Sequence, residues 1–464
     1  MKKIIAVLMS VMMLVGILAM YPVSASDTVA EIMPDYTWYD AEKTEFVITT
    51  EAQLLGLGYI PSVIPGVTFE GKTIKLGDNI VLNKGNPADW KNNPPANSLT
   101  ALPVFCGTFD GQGYSISGAY GDGSSRKLGL LFGEMSGNAC VKNLAIVNSY
   151  FVTASTCGGI TGRVTNATEV RFENVYVDVL MEGDAWEAGG FVGNDYSTNQ
   201  KVVFNNCVFA GEFKMLPTEA FIGGFIGYAG YTTNGTIEFT NCLNVGKVHG
   251  QKRVGGFVGL GDKVSFDKCV NLGPVVGETG GKLVAGIVGE GKKVTMTDCY
   301  TATDVMTMPF SDATGNSAAG SLGTDSTCAC VEITTATVKG AAAATVMDKL
   351  DWTNTWTTQD NALPTLKFVP VLLAKAAEGA IDENGSNGNA PGNDDTTNND
   401  TGDTETETKA TETTTPATEA DTTEADTTEA VEEKGGCGAS VAIGSVAVVC
   451  LGAAAFLAKK KKED

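Results

Sequence analysis

Residues 189–193 read Gly-Gly-Phe-Val-Gly, and the same five-residue core returns as GGITG at 158–162, GGFIG at 223–227 and GGFVG at 255–259. Weaker copies stand at 129–133 (GLLFG) and 285–289 (AGIVG). Successive copies start 29, 31, 34, 32 and 30 residues apart. A fixed period near 30 is the signature of a repeat architecture.

Each core is followed by a second block, and its six versions align without gaps: VKNL (141–144), FENV (172–175), FNNC (204–207), FTNC (239–242), FDKC (266–269) and MTDC (296–299). The first and fourth positions are always apolar. Residues three apart on a strand point to opposite faces, so burying both requires a bend between them. Asn tolerates the left-handed conformation such a bend needs. Asn143, Asn174, Asn206 and Asn241 therefore read as a ladder of corner residues, from which Lys268 and Asp298 depart. No repeat carries apolar residues at helical spacing, and the period is too long for a leucine-rich repeat and too short for a propeller blade. The fold expected is all-β, a right-handed parallel β-helix of about six coils, roughly 30 Å tall at 4.8 Å per coil. Leu131, Ile160, Phe191, Phe225, Phe257 and Ile287 form the column expected to face inward; the neighbouring column contains Thr161.

The two ends of the 464-residue chain read differently. Met1-Lys2-Lys3, an apolar run and Val23-Ser24-Ala25 have the form of a secretory signal over 1–25. Residues 439–458 are nearly uncharged and long enough to span a bilayer core; lysines 459–462 follow, on the side the positive-inside rule assigns to the cytoplasm. Between repeats and anchor, 381–434 is rich in Thr, Glu, Asp, Asn and Gly. Such a segment cannot bury enough apolar surface to offset its ordering entropy and is expected to be a disordered stalk. Residues 382–433 hold 16 acidic residues and one lysine, −15 of the formal −22. Neither stalk nor array offers a basic face, so nucleic acid is excluded as a partner class.

Eleven cysteines in an exported chain would ordinarily indicate disulfides. Cys207, Cys242, Cys269 and Cys299, however, occupy the position that Leu144 and Val175 fill in earlier coils. This interchange marks a buried ladder of small apolar side chains, expected to be free thiols. A column of single cysteines does not make a tetrahedral metal site, and no cofactor is expected.

Upstream, 46–50 reads as a strand, Thr50-Glu51-Ala52-Gln53 as a capping box opening a short helix, GKTIKL (71–76) and IVL (80–82) as strands, and 105–116 as strand, Asp-Gly turn and strand. In this order, followed by the Gly-Gly-apolar-Val-Gly coils and the ending at 352–367, the chain resembles the bacterial surface proteins that carry GLUG-motif repeats. That resemblance implies a right-handed β-helix at the cell surface, adhesin-like, with no catalytic residue in its motif. The divisions expected are a signal at 1–25, an N-terminal cap at 26–118, repeats at 119–305 and a C-terminal cap at 306–380. The stalk at 381–434 follows, then a Gly-Cys motif, transmembrane helix and lysine tail at 435–464. Cys437 in the Gly-Cys motif is the candidate for sorting or lipidation.

His249 is the only histidine, so Ser-His or Cys-His chemistry would have to centre on it; its setting, Lys247 to Arg253, reads as a solvated turn. Trp186, Tyr228 and Tyr231 fall in stretches read as inter-coil loops, where aromatic faces beside acids and amides suit a glycan; packing within the loop competes with that reading. With His249, Lys252 and Arg253 they are the candidate ligand-binding residues. The function expected is non-enzymatic binding of a glycan or surface protein by a membrane-anchored rod. The alternatives are a polysaccharide-active enzyme, which needs clustered carboxylates, or a structural envelope protein.

Overall fold

Two interlocked phenylalanine ladders hold the centre of the molecule. A computed structural model describes residues 31–123, 127–196, 201–215, 220–230, 235–307 and 317–378. The stretches expected to be signal, stalk and membrane anchor, together with Cys437 and Tyr231, lie outside those residues. Phe172, Phe204, Phe239 and Phe266 are register partners on successive parallel strands, and their rings stack 4.6–4.8 Å apart. Phe191, Phe225 and Phe257 stack at 4.8 and 4.7 Å. The second ladder meets the first edge-on, with Phe225 5.7 Å from Phe204 and 5.6 Å from Phe239. Each buried ring thus combines offset stacking with T-shaped contacts, worth about 0.5–1.5 kcal/mol per pair beyond area burial.

The parallel register makes the fold a β-helix. One face is an eight-stranded parallel sheet running from Leu102–Phe105 to Ala319–Leu322, which sets about eight turns. The sequence pattern found six. The additional turns are the first and the last, where Ala101-Leu102 and Ala318-Ala319 replace the glycine-flanked pair while keeping its hydrogen bonding. Leu102 N–H donates to Leu131 O, and Ile287 and Val288 N–H both donate to Ala318 O.

That shared acceptor recurs along the rod. Phe191 and Val192 N–H both donate to Phe225 O, and Phe225 and Ile226 N–H both donate to Phe257 O. Two consecutive amides aimed at one carbonyl turn a corner, so both residues after Gly-Gly point into the core. The neighbouring column is therefore buried as well, Val192, Ile226 and Val258 fully and Thr161 with its hydroxyl on Arg163 O at 3.0 Å. A single inward column was too simple.

The asparagine corners have φ of 51–53° at Asn143, Asn174, Asn206 and Asn241, and Lys268 and Asp298 take the same conformation. The amides link coil to coil: Asn206 Nδ2 donates to Asn174 Oδ1, Asn174 to Asn143 and Asn143 to Asp110, each at 3.1 Å. Beside them Cys207, Cys242, Cys269 and Cys299 are buried free thiols. Burial pushes the last three well above the usual thiol range. Cys330, the register partner of Cys299, extends the column by one rung.

At the N-terminal end the expected helix, Glu51–Leu57, buries Leu54, Leu55 and Leu57 against the first coil. Thr50 accepts from Gln53 N–H and Gln53 Oε1 accepts from Thr49 N–H at 2.9 Å. The C-terminal segment was expected to close the last coil. It packs instead along the flank, covering the outward apolar column Val208, Leu243, Val270 and Tyr300 with Met347, Trp356, Leu366 and Val369. Its helix Phe368–Glu378 reaches the early coils, where Asn79 Nδ2 donates to Lys375 O at 2.6 Å and the Lys375 ammonium sits 3.2 Å over the Tyr114 ring. Phe225→Ala removes a ring held by both ladders. It should cost about 3–5 kcal/mol in urea unfolding, and a loss below about 1 kcal/mol would contradict the interlocked packing.

Candidate functional site

At each Gly-Gly core the backbone folds so sharply that no side chain fits: a Cβ at Gly189 would lie 2.0 Å from Val192 O, and one at Gly193 2.6 Å from Gly162 O. Side chains just before and just after the core meet across this arc. The residue after each core gives Glu134, Arg163, Asn194, Tyr228, Leu260 and Glu290 as one register column. The residue two before it gives Thr156, Glu187, Phe221 and Arg253.

The two columns are joined by polar and aromatic contacts. Glu187 accepts from Thr156 Oγ1 at 2.7 Å, from Tyr196 OH at 2.8 Å and from Asn194 Nδ2. Tyr228 packs edge-on to Phe221 at 4.8 Å, and Arg253 lies 5.0 Å over the same ring while pairing with Glu290. Tyr196, 39% exposed, rests 5.3 Å from the Arg163 guanidinium. In this column carboxylates are separated by Arg163, Asn194, Tyr228 and Leu260, so three neighbouring coils never align three acids there.

Trp186 owes its position to the strand ladder. Ala185 pairs with Ser155 and Glu187 with Thr156, leaving Trp186 as an extra residue, a β-bulge. Bulges re-aim a side chain out of the ladder, and Trp186 is 61% exposed beside the Glu187 cluster.

The structure therefore divides the predicted residues. Tyr228 and Arg253 converge on Phe221, Trp186 stands free of the ladder, and Tyr231 lies outside the described residues. The segments read as loops are strands: Trp186 lies in Glu169–Gly189, Tyr228 in Ile226–Ala229, and His249, Lys252 and Arg253 in Val248–Gly255. His249, expected in a solvated turn, is half-buried with Nε2 2.5 Å from Glu278. At Trp186 the extra residue is absorbed as a bulge within the strand instead of being looped out. Glu187, Asn194, Tyr196 and Glu290 were missed, although their offset from the glycine core is a sequence signal.

A second concave region of about 450 Å³ lies at the corner on another flank. One wall is the segment around the 3-10 helix Pro87–Asp89, capped by Asn86 Oδ1 on Ala88 N–H at 3.1 Å. Trp90 anchors this wall against the stacked Tyr120 and Tyr150. The floor carries Asp178, Glu212, Lys214 and Lys247, with Lys247 3.0 Å from Glu212. Burial raises the Asp178 carboxyl to about 6, against a stabilising hydrogen bond from the Asn148 backbone.

No known family's sequence profile matches the chain, and no curated protein matches it. Among solved structures it is similar to a protein from Bacteroides ovatus described as a candidate immunoglobulin A1 protease. The TM-score is 0.44 with 16% identity over 70% of this chain and 92% of that one. At that score the likeness carries no argument, and the β-helix is established by its own register.

Asp178 has a folded pKa above its unfolded value near 3.9, so the folded state holds an extra proton between the two. The stability this proton contributes is present below about pH 4 and lost as pH rises through about 6. Asp178→Asn should raise the melting temperature at pH 7.5 and leave it nearly unchanged at pH 4. An equal effect at both would contradict a half-buried, titrating carboxyl.

Proposed function

We propose that the protein is a non-enzymatic binding module that recognises a glycan through the side of its rod. The observation that carries this reading is the bulge at Trp186. It spends a residue of the ladder to expose an indole next to a carboxylate already fixed by Thr156, Asn194 and Tyr196. An aromatic face beside fixed polar groups suits a sugar, whose C–H face packs on the ring while its hydroxyls meet acids and amides. The alternating composition of the arc column supports binding over hydrolysis, which needs two suitably separated carboxyls.

The setting belongs to the same proposal. A signal at 1–25, a flexible acidic stalk and a C-terminal membrane segment would display the rod, wound right-handed as parallel crossovers nearly always are, at the surface of the cell. The motif order supports membership among the GLUG-repeat surface proteins, and Cys437 is the residue whose processing would fix the anchor. Among the described residues no helix is long and apolar enough to cross a membrane; the proposed span lies beyond them.

The test is a glycan array probed with the protein and its Trp186→Ala variant, with release of oligosaccharide monitored. Saturable binding without product, weakened at least tenfold in the variant, about 1.4 kcal/mol or more, is the expected result. Because Trp186 is exposed, the variant should melt within about 0.5 kcal/mol of the parent. Released oligosaccharide, or binding indifferent to Trp186, would overturn the proposal.

A further inference from the structure

The floor of the flank trench carries two lysines and two carboxylates. Its floor crosses five coils, from Asn148 through Asp178, Glu212 and Lys247 to Pro274, about 19 Å at 4.8 Å per coil. Gly211 and Gly246 form its bottom, where a Cβ would lie 2.3 Å from Val179 O and 2.5 Å from Gly211 O respectively. At these two positions the floor is bare backbone. Lys247 is shared with Glu212, whereas Lys214 makes no ion pair among the described residues. Asn86 and Asn148 bring side-chain amides to the rim.

We propose that this trench binds an acidic polysaccharide strand, whose carboxylates meet Lys214 and Lys247 and whose hydroxyls meet the Asn86 and Asn148 amides. The inference deepens the glycan-binding reading by adding a subsite and fixing the charge of the ligand. Asp178 makes the site sensitive to pH. The titratable and charged groups around it are Glu212, Lys214 and Lys247 on the floor and Tyr176 on its own strand; Glu182, on the next stretch of that strand, is held by Lys91 of the wall. With Asp178 protonated, two lysines face one carboxylate; when it ionises the balance falls to zero. An anionic strand is then held better in mild acid.

Calorimetry of the full chain with an oligouronate, its methyl-esterified counterpart and poly-glutamate, at pH 5 and 7.5, tests this. The oligouronate should bind roughly 3- to 10-fold tighter at pH 5, the ester weakly and poly-glutamate not detectably. Asp178→Asn should bind at pH 7.5 as the parent does at pH 5, and Lys214→Ala with Lys247→Ala should abolish uronate binding without lowering the melting temperature. Trp186→Ala should leave the pH response intact, so failure of that site and of this one are distinguishable. Equal affinity for ester and acid, a parent response flat with pH, or binding of poly-glutamate alone would overturn the proposal.

Discussion

Every coil of this protein lies about 4.8 Å above the one before it, so each side chain packs mainly against the occupant of its own column. Columns must therefore be self-compatible. Phenylalanine satisfies this by stacking, asparagine by donating its amide to the next asparagine, and cysteine by being small and apolar enough to lie in file. A second buried amide link, Asn244 Nδ2 to Asn271 Oδ1 at 2.6 Å, obeys the same rule deeper in the core. From Asp110 to Asn206, and at Asn244 and Asn271, the column itself supplies partners for interior amides.

Against that uniformity, the candidate sites lie where the ladder breaks. The strands Cys140–Gly158 and Glu169–Gly189 pair over almost their full length and shift register twice. The first shift inserts a residue at Val147-Asn148, opposite Asp178; the second inserts Trp186 on the other strand. The two insertions cancel, so Ile146 with Val177 and Thr156 with Glu187 keep the same offset. The core repeat is undisturbed while two outward positions are re-aimed. One break directs the Asn148 backbone at the half-buried Asp178 carboxyl, and the other presents an indole to solvent. Compensated bulges re-aim outward positions without costing the rod its register.

Much of the fold was legible because column compatibility writes itself into sequence as a period. The corner asparagines, the cysteine file and the parallel coils all follow from it, whereas the N-terminal helix was legible from its cap at Thr50 and Gln53. The first and last turns were hidden because Leu102 and Ala318-Ala319 keep only the hydrogen-bond pattern of the motif. The flank-packing C-terminal segment was hidden because Val208, Leu243 and Val270 look like core residues, and sequence does not say which apolar column is covered from outside. Bulges are harder still: Trp186 and Asn148 are extra residues only relative to the neighbouring coil. The sites also draw on segments far apart in sequence, Asn86 and Lys247 among them, which no local pattern joins.

The central claim is that recognition occurs on the flank of the rod at the compensated bulges. Hydrogen exchange of the protein with and without a bound acidic oligosaccharide tests it directly. The account predicts added protection at 147–149, 178–187 and 210–214, with the ladder segments at 202–204, 237–239 and 264–266 already protected and unchanged. Protection confined to the first coil, the last coil or the C-terminal helix would place recognition at the ends of the rod and contradict it.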